Sequence, residues 1–147
     1  MGVELRDINK ENWRQCIKLK SSEDQVEFVA PNVFSIAESK FDEHMMPMGI
    51  YDGEEMVGFI MFGFDVDDGN YGVQRLMVDV AHQGKGYGRA AMLEAIRRCR
   101  TMPDCRQVAL SCVPDNVAAE KLYESLGFVK TGEVVCGENV MRLFFKE

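Results

Sequence analysis

No stretch of this chain approaches the roughly 20 apolar residues that a bilayer-spanning helix needs. The N-terminal run MGVELRDINKENW is polar and lacks the apolar segment of a signal peptide. Histidine is scarce: His44 and His82 stand isolated, too few for a ligand set, so no metal is expected. The five cysteines (Cys16, Cys99, Cys105, Cys112 and Cys136) contain no C-x-x-C pair. An odd, scattered set reads as reduced, mostly buried thiols rather than a disulfide framework. Basic charge is in the minority, with 17 Lys and Arg against 24 Asp and Glu and a net charge of −7. That balance argues against nucleic acid, whose phosphates require a basic face, and suits a cationic small molecule. A cytoplasmic protein with no membrane association is the expectation.

What is present is enough for one buried core. The chain has 147 residues, 46% of them hydrophobic, and shows no repeat, linker or low-complexity segment, so one domain over residues 1–147 is expected. VELRDI reads as a first strand. Asn9 is placed to cap a helix through KENWRQCIKL, with Trp13, Cys16 and Ile17 on one face. Pro31 opens a second helix in which Phe34, Ala37 and Phe41 are helically spaced. The period then changes to two. PMGIYDGEEMVGFIMFGF holds two strands joined at Asp52-Gly53, residues that tolerate positive φ. The second of these, Val57 to Phe64, is apolar on both faces and predicts a central strand.

Beyond the acidic turn DVDDGN, NYGVQRLMVDV predicts a strand with Leu76, Val78 and Val80 on one face. Residues Arg89 to Arg100 form a helix with Met92, Ile96 and Cys99 in one stripe, and its terminal arginines complement the helix dipole. QVALSCV is a short buried strand, DNVAAEKLYESLGF a helix closed by Gly127, and FVKTGEVV with VMRLFF a final hairpin. Antiparallel strands, one β–loop–α–β unit, a helix and a hairpin define an α+β, or mixed α/β, domain.

The chemistry concentrates in VAHQGKGYGRAAM, Val80 to Met92. A strand that feeds a glycine-rich turn into a helix presents unpaired N–H groups and the positive dipole end to an anion. Gly84, Gly86 and Gly88 allow close approach, and Gln83 and Arg89 are donors at the rim. Gly86, Gly88 and Ala91 satisfy the dinucleotide pattern G-x-G-x-x-A, but that fold opens with the loop and continues through repeated βαβ units. A P-loop needs Ser or Thr after Gly-Lys, and Lys85 is followed by Gly86. Context therefore disfavours a dinucleotide-dependent oxidoreductase.

QGKGYG at Gln83 to Gly88 resembles the Q/R-x-x-G-x-G/A motif of the GNAT superfamily of acyl-CoA-dependent N-acetyltransferases. NVAAEKLYESLGF, Asn116 to Phe128, resembles that family's N-x-x-A-x-x-x-Y-x-x-x-G-F segment. The order of elements from Val3 to Phe145 is similar as well. The resemblance implies a central, mostly antiparallel sheet, splayed at the cofactor site and flanked by helices. It implies acetyl-CoA as cosubstrate, with the pyrophosphate of coenzyme A held by Gly84, Lys85, Gly86, Tyr87, Gly88 and Arg89 beside Gln83. The pantetheine arm would lie along Leu76, Met77 and Val78, where a backbone N–H can polarise the thioester oxygen. Asn116 would contact the cofactor, and Tyr123 would protonate the departing thiolate. Dimers are frequent in the family, so a homodimer is expected by resemblance.

The acceptor is written in the N-terminal half. Gln25, Phe28, Val29, Ala30, Asn32, Ser35 and Ala37, with MGIYDGEEMVGFIMFG, resemble the matching region of bacterial spermine/spermidine acetyltransferases. A flexible multi-cation calls for carboxylates and apolar walls. Glu23, Asp24, Glu27, Glu38 and Asp65 are the candidates, each also readable as part of a solvated charged face. Competing acceptors are a protein N-terminus or lysine, an aminoglycoside and an amino acid. A non-catalytic acyl-CoA sensor would keep the glycine loop without needing Tyr123.

Overall fold

The structure, a computed structural model, describes residues 2–23, 28 and 30–146. Its frame is a seven-stranded sheet formed by β1 (Val3–Asp7), β2 (Met45–Asp52), β3 (Glu55–Asp65), β4 (Asn70–Val78), β5 (Gln107–Cys112), β6 (Val129–Val135) and β7 (Glu138–Phe144). The spatial order is β1-β2-β3-β4-β5-β7-β6, antiparallel throughout except where β4 meets β5. Helices α1 (Trp13–Lys18) and α2 (Asn32–Phe41) lie between β1 and β2 in the chain. Helix α3 (Tyr87–Arg100) connects β4 to β5, and α4 (Val117–Ser125) connects β5 to β6. The mixed α+β architecture expected from the sequence is present. Among the described residues no helix is long and apolar enough to cross a membrane.

The alternation of the strands sets the core. Asp52 and Gly53 turn β2 into β3, with Gly53 at φ +63°. The doubly apolar run becomes the central β3, where Phe59, Ile60, Met61 and Phe62 are wholly buried. Ile60 and Phe62 pack with Met92, Ala95, Ile96 and Cys99 of α3. Phe59 and Met61 face the other way, toward Cys16 and Ile36. Neighbouring residues of one strand thus supply both faces, as period two requires. The cysteines are free, and burial pushes the thiols of Cys16 and Cys99 up to about 12, far from thiolate reactivity.

Asn9 caps the segment as expected: its side chain accepts from Glu11 and Asn12 N–H and its carbonyl from Trp13 N–H at 3.0 Å, one turn ahead of the regular helix that begins at Trp13. Two local expectations change. In α2 the apolar residues Phe34, Ala37 and Phe41 turn outward, with Phe41 88% exposed. The inward positions are Asn32, Ser35 and Ile36, and Asn32 Nδ2 donates to the Cys16 carbonyl at 3.0 Å. That buried amide needs its partner, and satisfying it sets the helix rotation against the weaker apolar preference. Val80 likewise leaves the face of Leu76 and Val78, because the strand ends at Val78 and a 3-10 turn, Val80–His82, follows.

The feature that positions the site is the seam between β4 and β5. These parallel strands pair only at Tyr71 with Val108 and Gly72 with Ala109. A Cβ at Gly72 would lie 2.9 Å from the Ala109 carbonyl oxygen, so only glycine permits this approach. Arg142 of β7 clamps the same end. It donates to both oxygens of Asp68 in the β3–β4 turn (2.8 and 3.0 Å), to Glu133 of β6 (2.9 and 3.0 Å) and to Gln107 of β5 at 2.8 Å. The guanidinium holds the carboxyls of Asp68 and Glu133 below their ordinary range, in each case chiefly through its hydrogen bonds.

A carboxyl depressed in the folded state contributes stability above its unfolded pKa, and loses it as pH falls through the folded value. Arg142→Gln is expected to destabilise the fold by about 2 kcal/mol at neutral pH, the scale of lost charge-assisted hydrogen bonds whose carboxylate partners stay partly solvated. It is also expected to flatten the acid limb below about pH 4, near the unfolded carboxyl values. Melting temperature measured from pH 3 to pH 7 in both proteins checks each expectation.

Candidate active site

Beyond Gly72 the strands separate, and a cavity of about 1160 Å³ opens between them. A bulge sharpens the divergence: Met61 pairs with Arg75 and Phe62 with Val73, which leaves Gln74 without a partner. From Val73 to Val78 the edge of β4 has no ladder on the β5 side. Gln74, Leu76, Met77 and Val78 line the cavity there. An open strand edge inside a cavity is a template for an extended ligand carrying amide groups.

The end of β4 delivers the chain into the glycine loop. Gly84 and Gly86 take φ of +78° and +84°, the left-handed region that glycine enters without strain. Gly86 is the N-cap of α3 and has no side chain to satisfy the first-turn N–H groups. Gly84, Gly86, Tyr87 and Gly88 line the cavity, so this uncapped helix start faces the same space as the open strand edge. Gln83 also lines it, with Nε2 donating to the Val78 carbonyl at 3.1 Å. The Tyr87 ring turns away, and its hydroxyl donates to Asp52 at 2.5 Å, leaving Tyr87 only its backbone to offer an anion. Lys85 and Arg89 stand outside the cavity lining, and Arg89 donates to Ser125 Oγ at 2.7 Å.

Helix α4 brings the second motif to the opposite wall. Asn116 lines the cavity while its Oδ1 caps the helix at the Ala119 N–H, 3.3 Å away. Tyr123 lies two turns on, edge-to-face with Phe128 at 6.1 Å between ring centroids. Its hydroxyl has no hydrogen-bond partner among the described residues, and Tyr123 lines the cavity. Burial first, then the neighbouring Cys112, raises its pKa well above the ordinary phenol value. The ring is therefore a proton donor throughout the neutral range.

The acidic candidates separate. Asp65 lines the cavity, its Oδ1 accepting from the N–H groups of Asp67 and Asp68. Glu38 lies outside the lining and pairs with Arg75 at 3.4 Å. Glu23 is exposed outside the lining, and Asp24 and Glu27 lie outside the described residues. Sequence reasoning missed Asp67, Arg75, Ser111 and Glu138, which all line the cavity. Ser111 donates to Glu138 at 2.8 Å, and the Nε of Arg75 is buried without a partner. None of these belongs to a motif; only the divergence of β4 from β5 brings them to one space.

Residues 4–128 match the sequence profile of the Acetyltransferase (GNAT) family. The chain belongs to that family. It is 27% identical over 148 residues to the Spermine/spermidine N(1)-acetyltransferase of Bacillus subtilis (strain 168), across 96% of this chain and 97% of that protein. The fold is shared with the spermidine N-acetyltransferase of Vibrio cholerae, solved with CoA and spermine, at TM-score 0.75 and 18% identity. That match covers 97% of this chain and 94% of the other. The PaiA N-acetyltransferase of Thermoplasma acidophilum, solved with coenzyme A, matches at TM-score 0.73 and 16% identity, over 99% of this chain and 100% of the other.

The helix start offers an immediate test. Gly86→Val puts a β-branched residue at left-handed φ, a strain of about 1–2 kcal/mol. Coenzyme A affinity, measured by calorimetry, is expected to fall roughly five- to thirtyfold as that strain displaces the loop.

Proposed function

We propose that the chain, acting as one domain over residues 1–147, transfers the acetyl group of acetyl-CoA to a primary amine of a polyamine. One observation carries the transfer reading: the open edge of β4, the uncapped start of α3 and Tyr123 meet in one cavity. That set fits coenzyme A. The N–H groups around Gly84, Gly86, Tyr87, Gly88 and Arg89 would hold its pyrophosphate, with Gln83 and Lys85 at the rim. The edge at Leu76, Met77 and Val78 would pair with the pantetheine amides, and the Asn116 amide group would reach the same arm.

When bound, acetyl-CoA supplies an activated acetyl thioester. The chain's part is to place the neutral amine against the thioester carbonyl and stabilise charge on the oxygen. A backbone N–H of β4 beside the bulge at Gln74 would stabilise negative charge on the thioester oxygen. The nitrogen–carbon bond forms, the carbon–sulfur bond breaks, and the Tyr123 hydroxyl gives its proton to the leaving sulfur. One proton from the ammonium and one from the attacking nitrogen leave overall. One of them restores Tyr123, so the net products are the amide, free thiol and one proton.

The polyamine assignment is supported by the similarity to the Bacillus enzyme over nearly the whole chain and by the charge at the cavity mouth. Asp65 and Asp67 line the main cavity and also a neighbouring groove of about 420 Å³, whose walls include Phe41 and Val66. Carboxylates beside apolar walls suit ammonium groups joined by methylenes. A second reading has its own observation. The unpartnered Nε of Arg75 fits an amine that also carries a carboxylate, such as an amino acid.

Thiol release from acetyl-CoA on a panel of spermidine, spermine, amino acids, an aminoglycoside and a lysine peptide separates these readings. Turnover is expected with the polyamines, and Tyr123→Phe is expected to lower it by about 10²–10⁴. Saturable coenzyme A binding without turnover on any amine would instead favour a sensor. In the paired variant Asp65→Asn/Asp67→Asn, KM for spermine is expected to rise roughly tenfold with kcat nearly unchanged, the pattern of binding lost equally from ground and transition states.

A further inference from the structure

The carboxylate of Asp79 stands where two parts of the cavity wall meet. Asp79 follows β4 directly, and its N–H donates to the Val57 carbonyl of β3 at 2.8 Å. Its Oδ2 accepts from Ala81 N–H at 3.2 Å, inside the 3-10 turn that leads into the glycine loop. Its carbonyl accepts from His82 N–H at 2.8 Å. The other carboxylate oxygen, Oδ1, accepts from Lys20 N–H at 2.9 Å, across 59 positions of sequence. Val80 N–H then donates to the Lys20 carbonyl at 2.7 Å. Both backbone groups of Lys20 are thereby tied to the strand end that carries the anion-binding loop. Ser21 and Ser22, the next residues along, line the cavity, as do His82, Gln83 and Gly84.

We propose that Asp79 is a positioning residue: it ties the segment at Lys20 to the glycine loop, so that coenzyme A and the amine acceptor bind cooperatively. The identity of the two ligands rests on the acyltransferase reading above. A charged acceptor shared between two N–H groups is short and directional, and it keeps both bonds only while both segments hold their places. A ligand that orders the glycine loop orders Val80 and Ala81, and so restricts Lys20 and Ser21. An acceptor that extends from Asp65 and Asp67 to Ser21 and Ser22, all of which line the one cavity, then meets a wall that is already ordered. Linkage requires the same factor in both directions. A purely structural role would lower stability without touching that factor.

The test compares the wild type with Asp79→Asn, which puts an amide N–H₂ where one accepting oxygen stood. Asp79→Ser is the second variant; it can still cap Ala81 but is too short to reach Lys20. Amide hydrogen exchange is followed at Lys20, Ser21 and Ser22 with and without coenzyme A, and acceptor KM is measured at low and saturating acetyl-CoA. Coenzyme A is expected to slow exchange there at least about fivefold in the wild type, the low end of allosteric coupling. In both variants the slowing at Lys20–Ser22 should shrink, because only the Val80 N–H to Lys20 carbonyl bond remains. Acceptor KM in the wild type should fall by about the same factor as acetyl-CoA saturates, and in the variants it should fall measurably less. Equal protection of Lys20–Ser22 in wild type and variants overturns the proposal, as does its absence in a wild type that binds coenzyme A. A wild type that does not bind coenzyme A overturns both this proposal and the acyltransferase reading. Coenzyme-dependent protection without polyamine turnover supports the coupling and removes only the acceptor assignment.

Discussion

Two residue pairs join β4 to β5, and everything that makes this sheet a site rather than a wall depends on their being only two. A fully paired seam would leave no open edge and no cavity. No pairing at all would let the halves of the sheet drift apart. Gly72 allows the strands to touch, the bulge at Gln74 bends β4 away, and Arg142 secures the joined end with bonds to three other segments. Arg142 is 8% exposed, so an unpaired charge there would be costly, and each of its donors has to find an acceptor.

The seam also serves two electrostatic tasks that one net charge would confuse. A chain carrying −7 overall is a poor long-range attractor of a polyanion. The start of α3 solves this locally, because N–H dipoles act at contact distance while net charge acts over a Debye length. The same cavity also carries carboxylates: Asp65, Asp67 and Glu138 line it, and Arg75 among them is paired with Glu38. An uncapped helix start and a set of carboxylates thus share one space inside an acidic protein.

Legibility followed the range of the interactions. The glycine loop, the central β3, the stripe of α3 and the hairpin at Asp52-Gly53 all rest on neighbours within a turn or two, and each was readable. The rotation of α2 was not, because Asn32 answers to the Cys16 carbonyl, which no periodicity in Phe34, Ala37 and Phe41 can reveal. The glycine loop could be located in the sequence, but not which of its side chains face the cavity. Tyr87 is drawn to Asp52 and Arg89 to Ser125, partners 35 and 36 positions away. Glu38 was chosen for its charge and turned out to be engaged by Arg75.

By itself the sequence determined the order of elements, the family resemblance and the place of the glycine loop that opens α3. Each of these is encoded in local backbone preference: glycine at positive φ, strand alternation, a helix start without a cap. Tertiary structure alone decided the depth of the cavity, the clustering of Asp67, Arg75, Ser111 and Glu138, and the link from Lys20 through Asp79 to the glycine loop. Those depend on where β4 parts from β5 and on which buried polar groups find partners across the chain. Such choices are settled by packing and hydrogen-bond satisfaction together, and they leave no periodic trace along the chain.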